Sequence, residues 1–359
     1  MSFRSKAAFA AAVAVLAVPA SASAATKVVN MGTPPKDAKT FNEKYGSDVN
    51  DFFPHGTTIH VGDSVRFLPV GFHNLDIPKK GGKPVPLFAP TGQAIAGAND
   101  AAGAAFWFNG QPQLGFNLPA LAPVGFGKKF TYTGAKAINS GLPLGNKLKP
   151  VTVKFTKTGS YTYYCDIHTG MKGTVRVVAK SKAIPSAKAD AKRLKDQVAR
   201  DLKEIKTLTK ATVPDGTVDV GSAGKYGTEY FGMLPATRTV KAGTTLTFRM
   251  TTRSFETHTA SFGPGDPEKE PASYLGKLTA TLEQPVPDQS ALYPSGAPGT
   301  VESLSPTLHG NGFWNSGAID AAAATPLPAS NRVTFTTPGT YTFYCLIHPF
   351  MKGTVNVTS

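Results

Sequence analysis

Two stretches of the chain alternate apolar and polar residues in the same way. "TTIHVGDSVRF" runs from Thr57 to Phe67 and "TRTVKAGTTLTF" from Thr237 to Phe248, each broken by a glycine. Side chains alternate across a β-strand, so each stretch predicts two strands joined at a glycine turn. In "SYTYYC" the same period puts Tyr161, Tyr163 and Cys165 on one face and Thr162 and Tyr164 on the other. Both halves of the chain continue in short runs rich in Val, Thr, Phe and Tyr, separated by Gly, Pro and Asn. This predicts an all-β fold of antiparallel strands in a sandwich or barrel. The period changes between the halves. From Ser186 to Lys210 there is no Gly or Pro, and Leu194, Val198, Leu202, Ile205 and Leu208 recur at steps of four and three. That is the pattern of an amphipathic α-helix, ~37 Å long if helical throughout. The favoured reading is a spacer lying on one or both sandwiches, with a partner-binding or a membrane-surface helix as alternatives. Asp190, Asp196, Asp201 and Glu204 among its lysines argue against the membrane surface.

The halves are copies of each other. "GSYTYYCDIHTGMKGTV" (Gly159 to Val175) and "GTYTFYCLIHPFMKGTV" (Gly339 to Val355) agree at 12 of 17 positions. "AFWFNG" around Trp107 echoes "GFWNSG" around Trp314, each read as a loop closing its sandwich or as a lid. The expected organisation is a leader at 1–24, one unit at 25–180, a helical linker at 181–211 and a second unit at 212–359.

The leader is read from Arg4 and Lys6, the apolar stretch Ala7 to Val18, and the small residues Ala22, Ser23 and Ala24. It predicts export, to the periplasm, the cell envelope or the medium, and no other stretch approaches membrane-spanning length. The formal charge of +15, from 38 basic and 23 acidic residues, favours acidic protein partners or an anionic envelope. Nucleic acid is a poor partner for an exported chain. In an oxidising compartment two cysteines would by default form a disulfide. Cys165 and Cys345 hold matching positions in two copies, so a bridge would have to join equivalent sites across the units.

Cys, His and Met within seven residues offer a thiolate, an imidazole and a thioether, a set that suits copper. A second imidazole must come from another strand. His73 and His258 each follow the strand that ends at Phe67 or Phe248, about 90 residues before the cysteine. The expected ligand sets are His73, Cys165, His168 and Met171, and His258, Cys345, His348 and Met351.

With Tyr-x-Tyr/Phe-Tyr-Cys-x-x-His, a downstream Met and a distant His-Asn, the chain resembles the blue-copper cupredoxins, plastocyanin and amicyanin in particular. "CLIHPFMKG" is most similar to amicyanin. The resemblance covers both units and is sharp around the ligands. It implies two Greek-key β-sandwiches, each with a type 1 copper passing electrons through the exposed edge of its C-terminal His. It also implies that Asn74 ties the ligand loops together, where the second unit carries Thr259 instead. Each unit has about 40 more residues between its first His and its Cys than simple members of the family.

Fused cupredoxin units also occur in copper nitrite reductases and two-domain laccases, which need further copper held by histidines alone. Here Tyr164 and Tyr344 precede the cysteines, no His-x-His occurs, and only His55, His60 and His309 are left over. His55 lies in a turn, His60 aligns with Lys241 as a solvent-facing residue, and His309 could approach the second copper. An enzyme is therefore not expected. The leading reading is an exported electron carrier serving a redox partner. A copper-capturing or buffering protein, and an envelope interaction module with a structural metal, are the alternatives. The helix could hold the coppers apart or fold back and make them a relay.

Overall fold

The computed structural model describes residues 24–359 apart from 123, 146, 323, 324 and 326. All but the last residue of the expected leader lies outside them. The first half forms two five-stranded sheets. One runs in the order Phe52–Phe53, Thr26–Met31, Ser64–Pro69, Val151–Phe155, Lys129–Tyr132. The other runs Ile138–Asn139, Asp76–Ile77, Gly159–Tyr164, Lys172–Val178, Gly56–His60. The second half repeats the plan, with Thr217–Ala223, Thr244–Arg249 and Ser330–Phe335 central in one sheet, and in the other Thr237–Lys241 at the edge followed by Lys352–Thr358 and Gly339–Tyr344. Even the registers match: Gly159 faces Val177 and Tyr164 faces Lys172, as Gly339 faces Val357 and Tyr344 faces Lys352.

The hairpins are antiparallel, as the short turns predict. Six pairings are parallel instead: Thr26–Met31 with Ser64–Pro69 and Gly56–His60 with Lys172–Val178, their counterparts in the second half, and Lys129–Tyr132 with Val151–Phe155 and Glu302–Leu304 with Ser330–Phe335. These partners are joined by long stretches of chain, which a parallel pair requires and alternation along one strand does not reveal.

Each pair of sheets closes over its own apolar layer. Val65, Phe67, Val153, Tyr163 and Val175 are fully buried in the first, and Leu246, Phe248, Val333 and Val355 in the second, with Phe343 nearly so. The ring of Tyr163 lies over Gly173, and that of Phe343 over Gly353. A Cβ at either glycine would come within 2.5 Å of the ring. Burying an aromatic side chain of this kind stabilises by roughly 1.5–3 kcal/mol. Both cysteines and Met171 and Met351 belong to these cores, and the cysteines are free thiols rather than a bridge.

The helix spans Ala187–Leu208 and is capped by Ser186, whose hydroxyl accepts from the Ala189 N–H. It straps the two halves together. Near its start Lys27 binds Asp190 at 2.6 Å. In its middle Gln197 donates to Asp51 and Phe52 and accepts from the His55 N–H. Further on, Ile205 and Leu208 pack with Phe41, Val49 and Phe53, and Glu204 accepts from the Lys225 N–H. Among the described residues no helix is long and apolar enough to cross a membrane.

The halves are also interlaced. Ser47–Val49, from the first half, pairs antiparallel with Thr228–Leu234 and forms the edge of a sheet of the second. The hairpin Phe88–Ala94 and Pro112–Phe116 carries Trp107 across to the second half, where its indole donates to Pro294 O at 2.8 Å. Trp107 therefore does not close its own sandwich. Trp314 does: it is buried in the second core, on a strand paired with Phe262. The difference follows from what each segment must cover. Ile95, Phe106 and Phe108 find their apolar partners in Leu275, Leu278 and Phe313.

Candidate metal centres

His73 leaves the strand Ser64–Pro69 in a loop and turns inward against Gly32, whose φ of +104° places its backbone beneath the ring. A Cβ at Gly32 would sit 2.6 Å from His73 Cδ2. The second half repeats the cradle: Gly221 has φ +81°, and a Cβ there would lie 2.9 Å from His258 Nε2. Only glycine serves at such a position, because a side chain would be both strained and in collision. These two glycines were not singled out from the sequence. "MGT" and "VGS", each close to the end of the unit's first strand, were the available signal.

The Cys–His–Met loop joins the two strands of the matched hairpins. Its ends are closed by the Cys165 N–H donating to Met171 O at 3.1 Å and the Met171 N–H donating to His168 O at 3.0 Å. Cys345, Met351 and His348 repeat both bonds. Cys165 Sγ lies 3.9 Å from His73 Nδ1 and 3.6 Å from His168 Nδ1. In the second site Cys345 Sγ lies 3.6 Å from His258 Nδ1 and 3.8 Å from His348 Nδ1, with the two nitrogens 3.0 Å apart. An ion at the centre of that triangle would stand ~2 Å from each corner, close to metal–imidazole bond lengths. These are the two clusters of three or more potential ligands found among the described residues.

Electrostatics suit a soft cation. Burial, with His168 beside it, pushes His73 down to about 3, and burial alone does the same to His168. Burial likewise holds His258 and His348 below the ordinary imidazole range. The rings are therefore neutral, with a lone pair to give. Burial raises the Cys165 thiol to about 12 and Cys345 to about 11, opposed by nearby backbone N–H groups. A metal must displace each thiol proton. In the second site the N–H groups of Thr259 and His348 lie 3.4 and 3.3 Å from Cys345 Sγ, ready to stabilise a thiolate.

Asn74 latches the first site. Its Oδ1 accepts from the Asp166 N–H at 2.7 Å, and its Nδ2 donates to Asp166 Oδ2 at 2.8 Å. Thr259 replaces it by one bond, its hydroxyl accepting from the Leu346 N–H at 2.8 Å and receiving the Ser261 hydroxyl.

No family model and no curated protein matches the chain. The solved structures it resembles include amicyanins and a plastocyanin. A Cu(I) form of an amicyanin variant is 18% identical, with a TM-score of 0.22, covering 42% of this chain and 89% of that one. Amicyanin from Paracoccus versutus is 19% identical, at a TM-score of 0.22, over 41% of this chain and 85% of its own. Oxidised plastocyanin from Dryopteris crassirhizoma is 22% identical, at 0.21, over 40% and 99%.

One departure from the expected arrangement lies where the two sites meet. The resemblance implies an exposed edge on the C-terminal His of each unit, yet His168 is buried. Its Nε2 faces Glu256 Oε1 at 3.3 Å, and Nε2 of His348 lies 3.7 Å from Glu256 Oε2. The ring of Phe255 lies against Gly170, where a Cβ would come within 2.5 Å of it. Gly170 occupies the loop position that Phe350 holds in the other copy, so Phe255 takes the space a phenylalanine would fill.

His309 does not reach either cluster. It binds Asp100 at 3.0 Å and Glu302 at 2.8 Å and bridges the two halves. At the surface His60 Nε2 donates to Lys182 O at 2.8 Å, and His55 pairs with Asp51.

Proposed function

We propose that the chain is an exported copper-binding electron carrier with two type 1 sites. His73, Cys165 and His168 would hold one ion, with the thioether of Met171 as a further, weaker donor. His258, Cys345 and His348 would hold the other, with Met351 in the same part. What carries this reading is the convergence, twice, of two imidazole Nδ1 atoms and one thiol sulfur within 4.8 Å of one another inside an apolar core. Soft sulfur with two imidazoles is the donor set of one-electron copper centres, and when bound the ion supplies that one-electron redox change. The protein's part is to hold the donors still. Each loop is pinned by a strand hairpin, by the Cys-to-Met backbone bonds and by Asn74 or Thr259. Burial keeps water out and keeps the ligands from rearranging.

A redox partner of acidic surface would be drawn by the charge of +15. Burial of both triangles favours retention of the ion over ready release to a chelator, which supports carrying over capture. The test is copper loading of the full mature chain. Two equivalents should bind and give an intense visible thiolate-to-copper band. Cys165→Ser or Cys345→Ser should remove about half of it, and the double variant all of it. A colourless protein, or a band that survives both changes, overturns the reading.

A further inference from the structure

The outward edges of both candidate sites meet at one side chain. Nδ1 of His168 and of His348 faces its own cysteine sulfur, so Nε2, on the far side of each ring, is the edge that leads out of the site. Those two edges reach the two oxygens of the same carboxylate, Glu256. The carboxylate is itself fixed. Asn50, from the first half, donates to Oε1 at 2.7 Å. The Glu256 N–H donates to Ser254 Oγ at 3.0 Å. Ser254 and the Phe255 N–H are in turn held by the buried Glu229, at 3.2 and 2.6 Å. The surroundings are unequal. His168 is sealed, its side chain 9% exposed beneath Phe255 and Glu256. His348 is 20% exposed and stands 6.1 Å, ring to ring, from Phe350, which is 54% exposed.

We propose, resting on the copper reading above, that Glu256 joins the two centres into one two-electron unit in which the first site exchanges electrons with the outside only through the second. A soluble one-electron outer-sphere donor would lose an electron at the His348 edge, taking the second copper from +2 to +1. The electron would then pass through His348, Glu256 and His168, returning the second copper to +2 and leaving the first at +1. A second donor molecule refills the second site. Electron tunnelling falls steeply with distance, so facing edges separated by one hydrogen-bonded carboxylate form the short path. The outward edge of His168 is the more closely covered of the two, 9% exposed against 20% for His348. Glu256 is thus a positioning residue. Its two oxygens face the two Nε2 atoms at 3.3 and 3.7 Å, an acceptor on each side that Gln in its place would offer on only one.

Two measurements on the full chain test this. Electron paramagnetic resonance of the doubly cupric protein should show dipolar broadening that is absent from Cys165→Ser and Cys345→Ser, each holding one ion. Flash reduction by a small ruthenium ammine donor should bleach both sites of the parent chain in one phase, at the rate of the Cys165→Ser protein. The lone first site of Cys345→Ser should bleach at least tenfold more slowly. Glu256→Gln should keep the dipolar signature while splitting the bleaching into a fast and a slow phase. If two ions bind with the visible band but show no dipolar interaction, or if Cys345→Ser bleaches as fast as the parent, the relay is wrong. If Glu256→Gln still bleaches in one phase, the carboxylate merely packs and the bridge is wrong. Failure to bind copper with a visible band would instead sink the underlying reading.

Discussion

At the scale of single residues, the glycines beneath the first histidines carry as much of each site as the donors do. Gly32 combines φ +104° with a collision distance of 2.6 Å, whereas Gly62, at φ +93°, has open space around its missing side chain. Gly62→Ala therefore isolates backbone strain, about 1–2 kcal/mol. Gly32→Ala should cost more, because His73 must also move, and should weaken copper binding at the first site alone. Urea unfolding of the metal-free chain and copper titration of the Cys345→Ser background measure both. Asn74→Ala strips partners from two buried groups of Asp166 and should destabilise by about 2–4 kcal/mol. Thr259→Val removes one acceptor and should cost about 1–2 kcal/mol by the same unfolding measurement. The His and Cys donors were legible in the sequence because metal chemistry restricts residue type and the loop fixes the spacing. Glu256 was not. It stands two residues before His258 where the other copy has Gly71, and its partners Asn50 and His168 are distant in the chain. Only a position-by-position search for charged residues that break the repeat would have flagged it.

At the scale of elements, the two periods told strand from helix, and the bounds of the helix, Ala187–Leu208, fall one and two residues inside the stretch read from spacing. What period could not convey is partnership. Nothing in "SDV", at Ser47–Val49, says that it will add to a sheet built 180 residues later. The buried face of the helix was legible at Ile205 and Leu208, but two polar residues on it were not. Gln197 is buried because it serves the strand and turn the helix crosses, whereas Asp201 pairs with its own neighbour Arg200. Gln197→Ala should remove the bonds to Asp51, Phe52 and His55 and cost about 2–3 kcal/mol. Ile205→Ala, by emptying a fully buried position, should cost about 2–5 kcal/mol. Thermal unfolding followed by circular dichroism would check both. A loss of helix without a fall in the stability of the sheets would show that the strap is dispensable.

At the scale of the whole molecule, the halves brace each other reciprocally. Phe106 and Phe108 of the first pack beside Tyr344 and Leu346 of the second, and Phe255 of the second covers the loop of the first. His309 adds a charged latch between Glu302 and Asp100, from opposite halves. The hydrogen bond to Glu302, then that to Asp100, raises its pKa above 6.5 against the opposing effect of burial. A raised folded-state value means that protonation favours the native state. The latch should contribute fully below pH 6.5 and fade as the pH climbs through the raised value. The urea midpoint of the parent chain, compared with His309→Gln, should show a difference that shrinks toward alkaline pH. A difference independent of pH would mean that His309 only fills space. Composition and repeat gave two copies of one unit. They could not show that each copy's insertions had become the other's support, because a cover is recognised only by what lies beneath it.

The exchanged strand at Ser47–Val49 has a consequence for proteolysis. A nick in the exposed segment around Lys180 to Lys182 would sever the polypeptide between its copies, yet the fragments would stay clasped, since one has lent the other an edge. The pieces should co-elute in buffer and part only in denaturant, and a gene cut at that point should yield two products that need each other to become soluble.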